Sequence, residues 1–110
     1  MPNSFKSPRS QNVGTTLTQV GAYAVPSGGS ATLIGATLAN ISGSQITADI
    51  TLRNSGGTDT RIVLGAPIPA GGTLSFGGNF KVVMEVGDRI MVRSSAASSL
   101  DAIISMLEVT

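Results

Sequence analysis

The sequence contains no cysteine, no histidine and no tryptophan. Without cysteine there is no disulfide framework and no thiolate metal site, so stabilisation has to come from packing or from association with other chains. Without histidine the usual general base and the usual transition-metal ligand are missing. Only carboxylates and the two lysines, Lys6 and Lys81, remain for acid–base chemistry.

Charge is also scarce, because charged residues make up 12% of the chain and the formal net charge is +1. Soluble domains usually carry about a quarter of their residues as charged types. With so little charge, we expect no extended electrostatic binding surface for nucleic acid or for an anionic membrane. A surface of Ser, Thr, Asn and Gly instead packs against other protein at low desolvation cost, which favours an assembly.

No stretch approaches the roughly 20 apolar residues of a membrane span. The first residues, MPNSFKSPRSQNVG, lack the apolar middle of a signal peptide. We therefore expect a protein that is made in the cytoplasm and does not insert into a membrane.

The chain divides into an arm, residues 1–12, and one β-sandwich domain, residues 13–110. The arm is polar, has two prolines and contains one large apolar residue, Phe5, with the cations Lys6 and Arg9. Two interpretations stay open at this stage. The arm is either a solvated tail or a docking segment in which Phe5 anchors and Lys6 and Arg9 contact an acidic partner.

Short apolar runs separated by turn residues predict an all-β fold, a single antiparallel sandwich of about eight strands. In QITADITLR, residues 45–53, apolar and polar residues alternate, and the Asn-Ser-Gly-Gly that follows predicts a hairpin with residues 58–65. A second hairpin is predicted in FKVVMEVGDRIMVRS, residues 80–94, turning at Val86-Gly87-Asp88, with Ile90 and Val92 facing inward. The predicted strands are 14–24, 30–41, 45–54, 58–65, 72–77, 80–85, 88–94 and 101–109.

The C-terminal segment fits both a helix, with Leu100, Ile103, Ile104 and Leu107 on one face, and a strand. We favour a strand, because β-branched residues suit one. Both of its faces are then apolar, with Ile103 and Leu107 on one side and Ile104 and Met106 on the other. Either the second face lies under the arm or a loop, or Ile104 and Met106 line a subunit interface.

One phrase occurs twice, as VPSGGSATL at residues 25–33 and as IPAGGTLSF at residues 68–76. Neither copy has the Gly-Lys-Ser/Thr of a phosphate-binding loop, and neither precedes a predicted helix. Proline ends an extended run and the glycines permit a sharp entry into the next, so both copies are predicted to be equivalent corners before a strand. Two carboxylates near a turn, Glu85 and Asp88, fall short of a calcium site and are interpreted as a solvated turn.

Several strings, in this order along nearly the whole chain, resemble small structural proteins of tailed-bacteriophage virions. They are Asn12-Val13-Gly14-Thr15, Tyr23-Ala24-Val25-Pro26-Ser27-Gly28, LIGATLANIS (33–42), APIPAGGTLSF (66–76), EVGDRI (85–90) and SSAASSLDAIISMLEV (94–109). These are turn and strand phrases, not catalytic signatures. The resemblance implies a jelly-roll-like β-sandwich with no enzymatic activity, no catalytic residue, no metal and no cofactor.

The resemblance also implies a place in the virion, on the capsid surface, with the major capsid protein or other virion proteins as partners and repeated copies, often trimers. The expected function is a capsid decoration or cement protein that stabilises the shell. Alternatives are a neck, collar or tail-fibre component, and a receptor module that binds glycans through its single tyrosine, Tyr23.

Overall fold

The computed structural model describes residues 3–77 and 81–110, and in this part of the chain it is all-β, with no α-helix. One short 3-10 helix spans Val20–Ala22. The described strands are β1 (Asn3–Lys6), β2 (Arg9–Val13), β3 (Thr18–Gln19), β4 (Ser30–Asn40), β5 (Ile46–Arg53), β6 (Asp59–Ile68), β7 (Thr73–Phe76), β8 (Val82–Met84), β9 (Arg89–Ser94) and β10 (Leu100–Val109). The all-β prediction and the strand at the C-terminus are confirmed.

The strands form two antiparallel sheets. In the first sheet the order is β1-β10-β4-β7, with β2 also beside β10 and β8 also beside β4. In the second sheet the order is β3-β9-β5-β6. β1 and β2 therefore extend along successive parts of β10, and β7 and β8 along successive parts of β4.

Alternating residues from both sheets build one core. Strand β5 supplies Ile46, Ala48 and Ile50, as its sequence alternation predicts, and β9 supplies Ile90 and Val92. The first sheet supplies buried residues from β4 and β10, among them Leu33, Leu38, Leu100, Ala102, Ile104 and Met106. Burial of these apolar side chains is what holds the two sheets together.

The predicted hairpin between β5 and β6 is present, and its turn follows from Asn54. The side-chain oxygen Oδ1 of Asn54 accepts hydrogen bonds from the backbone N–H groups of Gly56 and Thr58 at 2.9 and 3.0 Å. Gly57 has a φ of +87°, which a residue with a Cβ rarely adopts. Local side-chain chemistry therefore determines this turn.

The second predicted hairpin is wrong, because β8 and β9 lie in different sheets. A tight turn at residues 85–88 carries the chain from one sheet to the other. Asp88 is buried there and accepts a hydrogen bond from the backbone N–H of Glu85 at 2.9 Å, so it is a structural turn residue and not solvated as predicted. A turn sequence specifies the bend and not which strands pair after it.

Both copies of the repeated phrase are corners, as predicted. The backbone N–H of Gly29 donates to Pro26 O at 3.1 Å, and that of Gly72 donates to Pro69 O at 2.9 Å. The preceding glycines, Gly28 and Gly71, have φ values of +81° and +69°. The two corners lead into β4 and β7, which are neighbours in the first sheet.

The second corner is fastened by the buried side chain of Asn40, at the end of β4. Its Nδ2 donates to the carbonyl oxygens of Ile68 and Pro69 at 3.0 and 3.1 Å and to Ser44 O at 2.7 Å. Its Oδ1 accepts from the backbone N–H and the hydroxyl of Ser42. One side chain thus joins the end of β4 to the end of β6.

The described residues form ten strands, whereas about eight were predicted. Each of the eight predicted runs contains a strand, although the run at 14–24 is reduced to β3 and the 3-10 helix, and residue 80 lies outside the described residues. The additional strands, β1 and β2, lie in the predicted arm, residues 1–12, and at the first residue after it. Both strands pair with β10, but most of their side chains stay exposed. Their sequence is therefore polar and has no apolar alternation from which a strand could have been predicted.

Candidate interaction surfaces

The three arm residues predicted to contact a partner, Phe5 and Lys6 on β1 and Arg9 on β2, are all exposed, and both strands pair with β10. Phe5 is directly opposite Leu107 of β10, Lys6 is opposite Met106, and Arg9 is opposite Ile103. The side chain of Phe5 remains 78% exposed. Phe5 and Arg9 therefore share the outer face of the first sheet with Leu107 and Ile103, whereas Lys6, opposite the buried Met106, lies on the other side of this edge.

A continuous row of residues crosses the outer face of the first sheet at the level of Phe5. Phe5 is opposite Leu107, Leu107 is opposite Thr32 of β4, and Thr32 is opposite Val83 of β8. Phe5 and Val83, at the two ends, are 78% and 71% exposed, and the two residues between them are half-buried. We call Phe5, Leu107, Thr32 and Val83 the apolar row.

The face around the apolar row carries little charge. Beyond the row formed by Ser105 and Gly35, the same face contains Arg9, Ile103, Thr37 and Ser75 in that order across the strands. Ile103 is 42% exposed. An exposed face of aliphatic, aromatic and hydroxyl side chains is typical of a surface that contacts other protein.

The interface assignment of Ile104 and Met106 is wrong. Both side chains lie in the core of this chain, at 1% and 0% exposure, and cannot contact a second subunit from there. Strand β10 turns Ala102, Ile104 and Met106 inward and Ile103 and Leu107 outward, which reverses the expected orientation. Because both faces of β10 are apolar, the alternation could not determine which one is buried.

The outer face of the second sheet has the opposite chemistry and carries four of the five arginines. Directly opposed residues form three rows across its strands: Arg89, Arg53 and Asp59, then Met91, Thr51 and Arg61, then Arg93 and Asp49. We call the four arginines with Asp49 and Asp59 the arginine face. Thr51 and Met91 are only 2% and 6% exposed, so neighbouring side chains cover the middle of this face.

Two ion pairs organise the arginine face. Arg53 binds Asp59 through two hydrogen bonds, Nε to Oδ1 at 2.6 Å and Nη2 to Oδ2 at 3.1 Å. Arg93 Nε donates to Asp49 Oδ2 at 2.8 Å, and the backbone N–H of Gly65 donates to Asp49 Oδ1 at 2.7 Å. Both carboxylate oxygens of each aspartate therefore accept a hydrogen bond.

These contacts keep both aspartates ionised. Burial by itself would raise the pKa of Asp49, but the hydrogen bonds from Gly65 and Arg93 and the positive charges of Arg93 and Arg61 outweigh it, so the pKa is lowered. The hydrogen bond from Arg53 lowers the pKa of Asp59, and the charges of Arg53, Arg61 and Arg89 add to this effect. Asp59 therefore lies within the field of three arginines.

The single tyrosine is a structural link. Tyr23 packs against the core, and its hydroxyl donates a hydrogen bond to Glu108 Oε2 at 2.5 Å. Burial raises the pKa of the Tyr23 phenol, and the neighbouring Glu108 carboxylate raises it further. A glycan platform, the role suggested for Tyr23 above, would need an open ring face, and this ring is only partly exposed.

Over residues 3–77 and 81–110 no pocket is found. The same residues contain no group of three acidic side chains that could hold a metal ion. Nor do they form a helix that is long and apolar enough to cross a membrane. The notable features of the described surface are the two sheet faces.

Sequence reasoning missed the arginine face, although the alternation in β5 and β9 predicted outward-pointing arginines. The four residues come from three separate strands, and the strand order that brings them together is β9-β5-β6. The apolar row was missed for a related reason. Its four members come from four strands, and no spacing along the chain connects them.

Comparisons with known proteins give a structural likeness alone. No protein-family model and no curated protein matches the chain. The chain is similar to a solved structure from the disulfide-linked pili formed by Bacillus endospore appendages, with a TM-score of 0.58 and 15% sequence identity over 99% of this chain and 87% of that chain. At this identity the likeness shows a shared fold.

Proposed function

We propose that this chain is a structural protein of a bacteriophage virion, a decoration or cement protein that binds the outside of the capsid in many copies and has no enzymatic activity. The observation that carries the proposal is the apolar row, where Phe5 and Val83 are 78% and 71% exposed on a sheet face with little charge. The resemblance of the sequence strings to virion proteins supports the same role.

The mechanism is added contact area. Each copy lays the apolar row and the adjoining edge strand β1 across neighbouring capsid subunits, and Lys6 and Arg9 contact acidic residues there. At about 25 cal/mol per Å² of apolar surface removed from water, a modest contact contributes little by itself. Repetition over a whole shell, in trimers or other closed oligomers, raises the free energy needed to separate its subunits.

The strand order supports a jelly-roll-like sandwich as the finer description of the fold. If β1 and β2 count as one position, and β7 and β8 as another, the chain has eight positions, four in each sheet. Jelly rolls have eight strands in two packed sheets and recur in viral capsid domains. The fold is therefore compatible with the proposed place in a virion.

A subunit of a filament is the second candidate, and the likeness to a pilus protein favours it. That neighbour belongs to disulfide-linked pili, whereas this chain has no cysteine. A filament of this chain would therefore be held by non-covalent contacts alone. The open edges of β1 and β8 are where such contacts would form.

The two functions predict different results for the purified chain. A decoration protein stays a small oligomer, measured by light scattering, and rebinds to capsids from which it was removed, restoring their resistance to heat and low salt. A filament subunit grows into fibres that are visible by negative-stain electron microscopy. Capsids that withstand heat and low salt equally well with and without the protein would contradict the cement role.

A copy-number measurement on purified virions separates the capsid from the neck and tail. A shell protein is present in many copies, whereas a neck, collar or tail-fibre component is present in few. Gold labelling of the same particles shows the position directly. Label on the tail alone would replace the cement role with a tail role.

A further inference from the structure

The arginine face has more positive charge than its own carboxylates neutralise. It contains four arginines and two aspartates, whereas the rest of the chain has three cations and four carboxylates. Asp59 pairs with Arg53 and Asp49 pairs with Arg93, so both internal counter-ions are used. The guanidinium groups of Arg61 and Arg89 have no carboxylate of this face left to pair with.

Neither of these two arginines has a carboxylate partner among the described residues. Arg61 is exposed and makes no ion pair with that part of the chain. Arg89 donates from Nη2 to the backbone oxygen of Asn54 at 3.2 Å, and its Nε is buried without a hydrogen-bond partner in the described residues. A buried donor that is left unpaired is unfavourable, so the present position of the Arg89 side chain has a free-energy cost.

The strand pairing also places two of the positive charges next to each other. Arg89 and Arg53 lie directly opposite each other on β9 and β5, and like charges at such positions repel. Within the described part of the chain, Asp59 accepts hydrogen bonds from Arg53 only, and its single negative charge acts on both of these arginines. The fold therefore holds an arrangement that is unfavourable in the free chain and that a negatively charged partner would stabilise.

We propose that the arginine face is a docking surface for an acidic segment of a partner protein, which provides at least two carboxylates to Arg61 and Arg89. A guanidinium binds a carboxylate through two parallel hydrogen bonds, the geometry that Arg53 and Asp59 already show here. The inference is independent of the proposed function, because this face and the apolar row lie on different sheets. A chain with both surfaces can bridge two partners.

Protein carboxylates fit this face better than nucleic-acid phosphates. The excess is two positive charges on a face of three strands, about 10 Å across at the usual strand spacing. A nucleic-acid surface needs a longer basic track, and Asp49 and Asp59 would repel phosphates within the face. Arginine is also enriched where proteins contact proteins.

The test uses the purified full chain and a fluorescent peptide of alternating glutamate and serine, read by anisotropy at low salt. The wild-type chain binds the peptide, and binding weakens as salt is added. The double variant Arg61→Gln/Arg89→Gln, which keeps both ion pairs, weakens binding about tenfold. The matched control Lys81→Gln removes one exposed cation from outside the arginine face and leaves binding within about twofold of the wild type, whereas Arg61→Gln alone weakens it severalfold.

Several outcomes overturn the proposal. These are no binding of the glutamate peptide, equal loss in Arg61→Gln and Lys81→Gln, and tighter binding of a single-stranded oligonucleotide of the same charge. Thermal unfolding shows whether each variant is folded. If the Arg89 change prevents folding, Arg61→Gln alone decides, because Arg61 is exposed and its loss should still weaken the peptide complex severalfold.

Discussion

The hydroxyl of Tyr23 donates a 2.5 Å hydrogen bond to Glu108, which joins the segment after the 3-10 helix to the last residues of β10. Because Tyr23 is the only tyrosine and there is no tryptophan, near-ultraviolet absorbance reports on this one phenol.

We expect the Tyr23 phenol to titrate above its ordinary range, since burial and then the Glu108 carboxylate disfavour the phenolate. The variant Glu108→Gln removes the negative charge, so its phenol should titrate at lower pH than the wild type, while burial keeps it above a free tyrosine. Alkaline absorbance titration of both proteins measures the difference. Identical titration curves would mean that Glu108 does not contact the phenol in solution.

Replacing Asp49 by Asn should lower the free energy of unfolding by about 1–3 kcal/mol at neutral pH, because Arg93 and Gly65 lose a charged acceptor. The pKa of Asp49 is lowered on folding, so its contribution is present above the unfolded pKa of about 4 and is lost as pH falls through the folded value. Denaturant unfolding at neutral and strongly acidic pH should therefore show the two proteins converging in acid. The control Glu85→Gln, at an exposed site, should change stability by no more than about 0.5 kcal/mol. If Asp49→Asn lowered the free energy of unfolding equally at both pH values, the lowered pKa of Asp49 would be contradicted.

Asn40 and Asn54 make a matched pair for testing amide donors. Asn40 donates to three backbone carbonyls, whereas Asn54 uses its side-chain oxygen as an acceptor for Gly56 and Thr58. Asn40→Asp should therefore cost about 2–3 kcal/mol at neutral pH, since a carboxylate faces carbonyl oxygens, and part of the loss should return in acid as the new carboxyl is protonated. Asn54→Asp keeps its acceptor and should be nearly neutral. Thermal or denaturant unfolding of both variants gives the comparison, and equal losses would show that the Asn40 donors contribute nothing.

Substitutions on the two faces of the first sheet should have different effects, one on association and the other on stability. Phe5→Ser should leave unfolding within about 0.5 kcal/mol of the wild type, because the side chain is 78% exposed, and should weaken binding to capsids or to other copies. Ile104→Ala opens the core and should cost about 2–5 kcal/mol. Denaturant unfolding and capsid rebinding measure the two effects. Normal stability with lost association in Ile104→Ala would restore that residue to an interface.

Local patterns predicted local structure well. The alternation in QITADITLR correctly predicts that Ile46, Ala48 and Ile50 face the core, and the residues after it predict the turn at Asn54. The corners at Pro26 and Pro69 were predictable for the same reason, since a proline and a glycine with positive φ specify a bend within four residues.

The prediction that β8 and β9 pair with each other failed, although the local turn between them is present. The turn at Gly87 resembles a hairpin turn, but the strands on either side of it pair with β4 and β5 in different sheets. Asp49 and Thr51 are polar positions of the alternation in QITADITLR, yet both are buried, because the neighbouring strands cover that face with long side chains.

The sequence by itself determined an all-β chain without disulfides, with its corners, its central hairpin and a low surface charge, because these follow from residue type and short-range spacing. The tertiary structure alone decided which face of β10 is buried and how the apolar row and the arginine face are assembled. Each of these depends on the pairing of strands far apart in the chain, and burial of the core selects that pairing among registers that the local sequence leaves equally possible.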